Sequence, residues 1–184
     1  TRKESSAASD VYKRQELVLY SREAIAERVG ELAKEIDAAY AGEEILIIGL
    51  LRGCFVFCSD LVREMKSKME IDFMTTSSYE NNESSSGDVK VFGDLRCEVK
   101  GRHVLIVDDI IDTGHTLKTV AEAIEKMEPL SVKTAVMLDK PSRRQVDFSA
   151  DFTGFTIDDV FIVGYGLNYG PYYRNKPYIY TYED

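Results

Sequence analysis

Two runs of consecutive apolar residues, Ile45 to Leu51 and Val104 to Val107, interrupt a chain in which polar and apolar positions otherwise alternate. An apolar run of that length is what a strand shows when both of its faces are covered, as in a parallel sheet. Around these runs the apolar residues change to helical spacing. Ile25, Val29, Leu32 and Ile36 follow a cap at Ser21 and end before Gly42, which predicts a first helix. Residues 54–67 read as a second helix, and Leu117, Val120, Ala121 and Ile124 mark a third over His115 to Lys126. Ile71 to Thr76 and Val132 to Leu138 complete the predicted strands, and Phe161 to Val163 reads as a further short one. Strand, helix, strand, twice over, predicts parallel βαβ units and a doubly wound, mainly parallel α/β sheet. Ligands then belong at the carboxyl ends of the strands.

Two segments stand outside this pattern. Residues 1–16 are polar, mixed in charge and without periodicity, and read as a disordered leader or sequence scar ahead of a single domain over 17–184. Residues 77–93 are rich in Ser, Asn, Glu and Gly, which cannot bury an apolar face; they read as a flexible excursion placed where an active-site lid would sit.

A chain of 184 residues supports one well-cored domain. The net charge of -9 argues against a nucleic-acid-binding surface, which needs clustered Lys and Arg. Cys54, Cys58 and Cys97 show no metal-ligand spacing with His103 and His115. Cys54 and Cys58, one helical turn apart, read as buried thiols in a reducing compartment. The longest apolar run is far shorter than a membrane span, so the expected location is the cytoplasm, with no membrane partner.

The chemistry concentrates in Val104-Leu-Ile-Val-Asp-Asp-Ile-Ile-Asp-Thr-Gly-His-Thr116. The loop Asp112 to Thr116 lies between a strand's carboxyl end and a helix's amino end. Unpaired first-turn amides and the helix dipole favour an anion there, Gly114 admits close backbone approach, and Thr113 and Thr116 offer hydroxyls. Carboxylates beside a phosphate would repel it unless they bind something else, such as hydroxyls or a metal. Asp108 and Asp109 are placed to accept hydrogen bonds from a vicinal diol, and Asp112 to hold or take a proton. Asp109 and Asp112 have an alternative use as turn and N-cap residues.

This segment resembles the phosphoribosyl pyrophosphate (PRPP) motif of the type I phosphoribosyltransferases, and the wider pattern is similar to the hypoxanthine-guanine phosphoribosyltransferases. Leu51-Arg-Gly53, Ser77-Ser-Tyr79, Lys140, Val160 to Tyr165 and Tyr173-Arg-Asn175 stand in the order that group shows. The resemblance implies a PRPP site at Asp108, Asp109, Asp112, Thr113, Gly114, His115 and Thr116. It further implies pyrophosphate contacts at Leu51, Arg52, Gly53 and Arg174, with a cis peptide before Arg52. Ser78 and Tyr79 would close over the reaction centre. Within a hood contributed by residues 140–184, Lys140 would read the 6-oxo group of a purine, Phe161 would stack on the base and the Ile162 backbone would read its edge. Tyr172, Tyr173, Tyr178, Tyr180 and Tyr182 read as packing and terminal-strand residues.

The same resemblance implies Mg²⁺ held with the help of Asp108, Asp109 and residue 168, where this chain has Asn168 in place of the usual Asp. An amide keeps an oxygen but loses the charge Mg²⁺ prefers. The implied activity is transfer of the 5-phosphoribosyl group from PRPP to N9 of hypoxanthine or guanine, with Asp112 as general base or acid, in a homodimer or homotetramer. A phosphoribosyltransferase for xanthine or a pyrimidine, and a non-catalytic regulator sensing PRPP or nucleotides, share the motif. Lys140 and Phe161 disfavour a pyrimidine, and the chain's acidity speaks against a nucleic-acid-binding regulator. A PRPP synthetase would need a longer, two-domain chain.

Overall fold

The structure is a computed structural model and describes residues 14–77, 90–92 and 95–183. Its elements are β1 (Glu16–Tyr20), α1 (Arg22–Tyr40), β2 (Ile45–Leu51), α2 (Phe55–Glu64), β3 (Met69–Ser77), β4 (Lys90–Phe92), β5 (His103–Ile111), α3 (His115–Glu125), β6 (Ser131–Asp139), β7 (Phe152–Thr156) and β8 (Ile179–Tyr182), with a 3₁₀ turn at Pro141–Arg143.

Six strands form one sheet in the order β4-β3-β2-β5-β6-β7. Five of them run parallel, and β4 is added antiparallel at one edge. The unbroken apolar run of β2 is explained by its neighbours. Ile45 and Ile47 face the cluster built with α1 and α2, whereas Leu46, Ile48 and Leu50 face the one built with α3. Both faces are dry, so no position along the strand is left for a polar residue. The expected α/β sheet is therefore the observed one.

α1 starts as the sequence suggests, with the Ser21 side chain accepting a hydrogen bond from Ala24 N–H at 3.1 Å. Its left-handed C-cap is Ala41, with Gly42 following in the same backbone region. α2 is shorter than residues 54–67: Cys54 is its N-cap and Met65 its extended C-cap. Cys54 and Cys58 are buried and free, as expected.

Several boundaries depart from expectation. Glu16, assigned to the leader, opens β1, which pairs antiparallel with β8. Phe161 to Val163 is not a strand: only Val163 pairs, as an isolated bridge to Tyr180. Residues 152–156, assigned to the hood, form β7 of the main sheet, so the capping layer combines β1, β8 and residues 157–178. Ile157, Ile162, Tyr165 and Ile179 join that layer to the α1/α2 core. Tyr180 is fully buried in it, but Tyr172 is exposed rather than packed. These pairings link the two ends of the chain, a relation no local pattern carries.

No described helix is long and apolar enough to cross a membrane. Residues 1–13, and Ser78 and Tyr79 of the anticipated lid, lie outside the described residues.

Candidate active site

β5 runs past its apolar stretch and carries Asp108 and Asp109 to the carboxyl edge of the sheet. Asp109 N–H donates to Asp108 Oδ1 at 2.9 Å, and Ile110 N–H to Asp109 Oδ1 at 2.8 Å. Burial raises the pKa of Asp108 well above the ordinary carboxylate value, and the neighbouring Asp109 charge pushes it the same way. Burial also raises Asp109, against the opposing effects of its hydrogen bonds and the positive charge of Arg174. Two adjacent, half-buried carboxylates at the edge of a cleft call for hydroxyl donors or a cation.

Asp112 follows the end of the strand, and α3 begins at His115. Gly114 is the N-cap in the left-handed region (φ 89°), without a side chain to occupy the first-turn amides. That leaves the helix terminus open to an anion. A Cβ at residue 114 would press on the side chains of Arg144 and Val146, which lie across the loop at 3.0 Å.

From the neighbouring strand, β2 leads into Leu51, Arg52 and Gly53, and the Leu51–Arg52 peptide is cis, as the resemblance implied. Gly53 packs directly on the Asp109 carboxylate. The third wall is a turn of the capping layer. Tyr165 N–H donates to Lys176 O, Gly166 N–H to Arg174 O, and Arg174 Nη1 returns to Gly166 O at 2.7 Å.

These pieces enclose a cleft of about 320 Å³. It gathers Asp108, Asp109, Asp112, Thr113, Gly114 and Thr116 with Leu51, Gly53, Asn168 and Arg174. Thr76, at the end of β3, lines it too and was missed. A larger hollow of about 430 Å³ between α1, α2 and the capping layer is lined by Tyr165 and Asn175 but by none of the anticipated site residues.

Not every anticipated residue reaches the cleft. Arg52 is exposed outside it, and His115 turns its Nε2 to Gln145 Oε1 at 3.1 Å. Lys140, Phe161 and Ile162 are not among the cleft's lining residues. Lys140 is buried, and its Nζ lies 3.7 Å from Asp159. Phe161 is 52% exposed and meets Tyr169 edge to face at 5.4 Å, so an aromatic surface is left available.

A cluster of cations absent from the expected set packs against Asp112. Arg143 Nε lies 3.2 Å from its carboxylate, and Arg144 Nη1 donates to its main-chain carbonyl at 2.8 Å. Arg144 also holds Asp139 at 2.6 Å. The signal was present in Lys140-Pro-Ser-Arg-Arg144, three cations at a strand's carboxyl end in an acidic chain.

Among the described residues no group of three or more His, Cys, Asp or Glu could hold a metal alone. The cleft instead offers the adjacent Asp108 and Asp109 carboxylates, Asp112 further along, and the Asn168 amide, whose Nδ2 is committed to Gly170 O at 2.7 Å. One or two carboxylates, completed by substrate phosphate oxygens and water, is a donor set that fits Mg²⁺.

Comparison with known proteins agrees with this architecture. Residues 18–170 match the phosphoribosyl transferase domain family, and the chain belongs to that family. A hypoxanthine-guanine phosphoribosyltransferase of Aquifex aeolicus is 48% identical over 168 residues, covering 91% of this chain and 94% of that protein. A hypoxanthine phosphoribosyltransferase of Escherichia coli is 47% identical over 154 residues, covering 83% and 86%. The crystal structure of a hypoxanthine-guanine phosphoribosyltransferase from Bacillus anthracis, with a HEPES molecule in its active site, superposes with a TM-score of 0.85 at 41% identity, covering 91% of this chain and 97% of that one.

Proposed function

We propose that this chain is a purine-salvage enzyme transferring the 5-phosphoribosyl group from PRPP to N9 of hypoxanthine or guanine, releasing pyrophosphate and giving IMP or GMP. The observation that carries the reading is the convergence in one cleft of the Asp108/Asp109 pair, the uncapped start of α3, Gly53 and Arg174. The 5-phosphate is taken by the amides and hydroxyls of Thr113 to Thr116. Asp108 and Asp109 accept hydrogen bonds from the ribose hydroxyls, and the Leu51-Arg52-Gly53 loop and Arg174 hold pyrophosphate. As the bond to pyrophosphate lengthens, positive charge grows on the ribose ring. The two carboxylates stabilise it where they are already oriented. Arg174 meets the negative charge of the departing group.

Phe161 stacks on the base, the Ile162 backbone reads its edge, and Lys140 donates to the 6-oxo oxygen; an amino group there would present a donor to a donor. Asp112 moves the proton at the imidazole ring. Mg²⁺, held by Asp108, Asp109 and more weakly Asn168 with substrate oxygens, supplies charge neutralisation of the pyrophosphate. The enzyme works in the cytoplasm as a homodimer or homotetramer. Phe55, Ile71 and Phe73, each more than 40% exposed, supply apolar surface for such an assembly.

Nucleotide formation from PRPP and Mg²⁺ with hypoxanthine, guanine, xanthine, adenine, uracil or orotate tests the reading. Hypoxanthine and guanine should be converted and adenine and the pyrimidines refused. Efficient use of adenine contradicts the role of Lys140, and xanthine as the best substrate favours the xanthine-preferring alternative.

A further inference from the structure

Asp112, Arg143, Asp159 and Lys140 form one chain of alternating charge beside the cleft. Arg143 Nε lies 3.2 Å from Asp112 Oδ1, Arg143 Nη1 3.6 Å from Asp159 Oδ2, and Lys140 Nζ 3.7 Å from Asp159 Oδ1. We propose that Arg143 and Asp159 are positioning residues that tie the side chain reading the base to the one moving its proton. An oxopurine then meets Lys140 and Asp112 preset to its 6-oxo oxygen and the adjoining imidazole nitrogen, which share one edge of the base. The inference rests on the roles given above to Lys140 and Asp112.

The backbones at the two ends of this chain are anchored separately. Lys140 N–H donates to Ile111 O at 3.0 Å, and the Asp112 carbonyl is held by Arg144, itself paired with Asp139. What remains free is the aim of the two side chains, and that is what Arg143 and Asp159 control. A guanidinium is a planar fork, so the two carboxylates it serves are kept at a set separation. The Lys140 ammonium has three donors and can keep Asp159 while donating to the base. Asp159 precedes Phe161 by two residues, so the segment offering the aromatic platform also carries the bridge.

Arg143, Asp159 and Asp112 are each between 42 and 50% exposed, and ion pairs so open to water add little to folding. Their effect grows only when a bound base displaces water from around them. That places the role in the loaded enzyme rather than in stability.

The test uses Arg143→Gln, Asp159→Asn and the double variant, with hypoxanthine and PRPP in single-turnover and steady-state assays. Arg143→Gln should slow the chemical step on the order of 10-fold, with the KM for PRPP unchanged. Asp159→Asn should raise the KM for hypoxanthine by a similar factor, and the double variant should lose less than the product of the two defects. A wild-type single-turnover rate in Arg143→Gln overturns the proposal, as do defects that simply multiply. Asp112→Asn separates the two levels. If it keeps the wild-type rate, the role of Asp112 fails and the bridge with it; if it is impaired and Arg143→Gln is not, only the bridge fails.

Discussion

The Asp109 carboxylate rests against the bare Cα of Gly53, and a side chain of any size at residue 53 would collide with it. The contact joins the loop after β2 to the β5 edge. Gly53 lacks a positive φ, so close approach and not backbone freedom is what requires glycine here. Gly53→Ala must displace Asp109 or open the loop. We expect kcat/KM to fall by roughly 100-fold or more, as a displacement on the order of 1 Å can cause. The protein should remain folded by circular dichroism, and a variant with near-normal kcat/KM would contradict the contact.

The Asp108/Asp109 pair makes a prediction about pH. Burial and its neighbour raise the pKa of Asp108 in the folded protein above its unfolded value. Its contribution to stability is therefore complete below about pH 4 and is lost as pH rises through the folded value. Asp108→Asn removes that loss, while its amide oxygen can still accept the Asp109 N–H. The ligand-free variant should melt at a higher temperature than the parent at neutral pH, and the gap should shrink toward pH 4. It should also be catalytically poor, an exchange of activity for stability. Thermal melts across pH check the sign: a gap that widens toward acid refutes it.

Asp112 has its main chain clamped by Arg144 and its carboxylate half exposed beside Arg143. Asp112→Asn keeps shape and packing, so melting should change little. The single-turnover rate should fall by roughly 100-fold. Single-turnover kinetics is the right measurement because slow product release would hide the defect in kcat.

At Asn168 the amide nitrogen is held by Gly170 O, which leaves only the neutral oxygen for a cation. Asn168→Asp exchanges that hydrogen bond for a charge. The Mg²⁺ concentration giving half-maximal activity should drop several-fold, and calorimetric titration of Mg²⁺ with PRPP should show the same change. Unaltered magnesium dependence in both measurements would place residue 168 outside the metal's reach.

The parallel core and the Thr/Gly loop before α3 could be read from the chain, because both are local. A strand dry on both faces is written as consecutive apolar residues in Ile45 to Leu51, and a Thr/Gly turn between strand and helix is written in five adjacent positions. The family order of Leu51-Arg-Gly53, Lys140, Phe161 and Arg174 was legible for the same reason, motif by motif. Tertiary structure alone decided which of these meet. β1 pairs with β8 from opposite ends of the chain, Gly53 is pressed on Asp109 across two strands, and Arg143 reaches back 31 residues to Asp112. Lys140 is buried in the fold, since a lysine's surroundings depend on what packs over it and not on its neighbours in the chain.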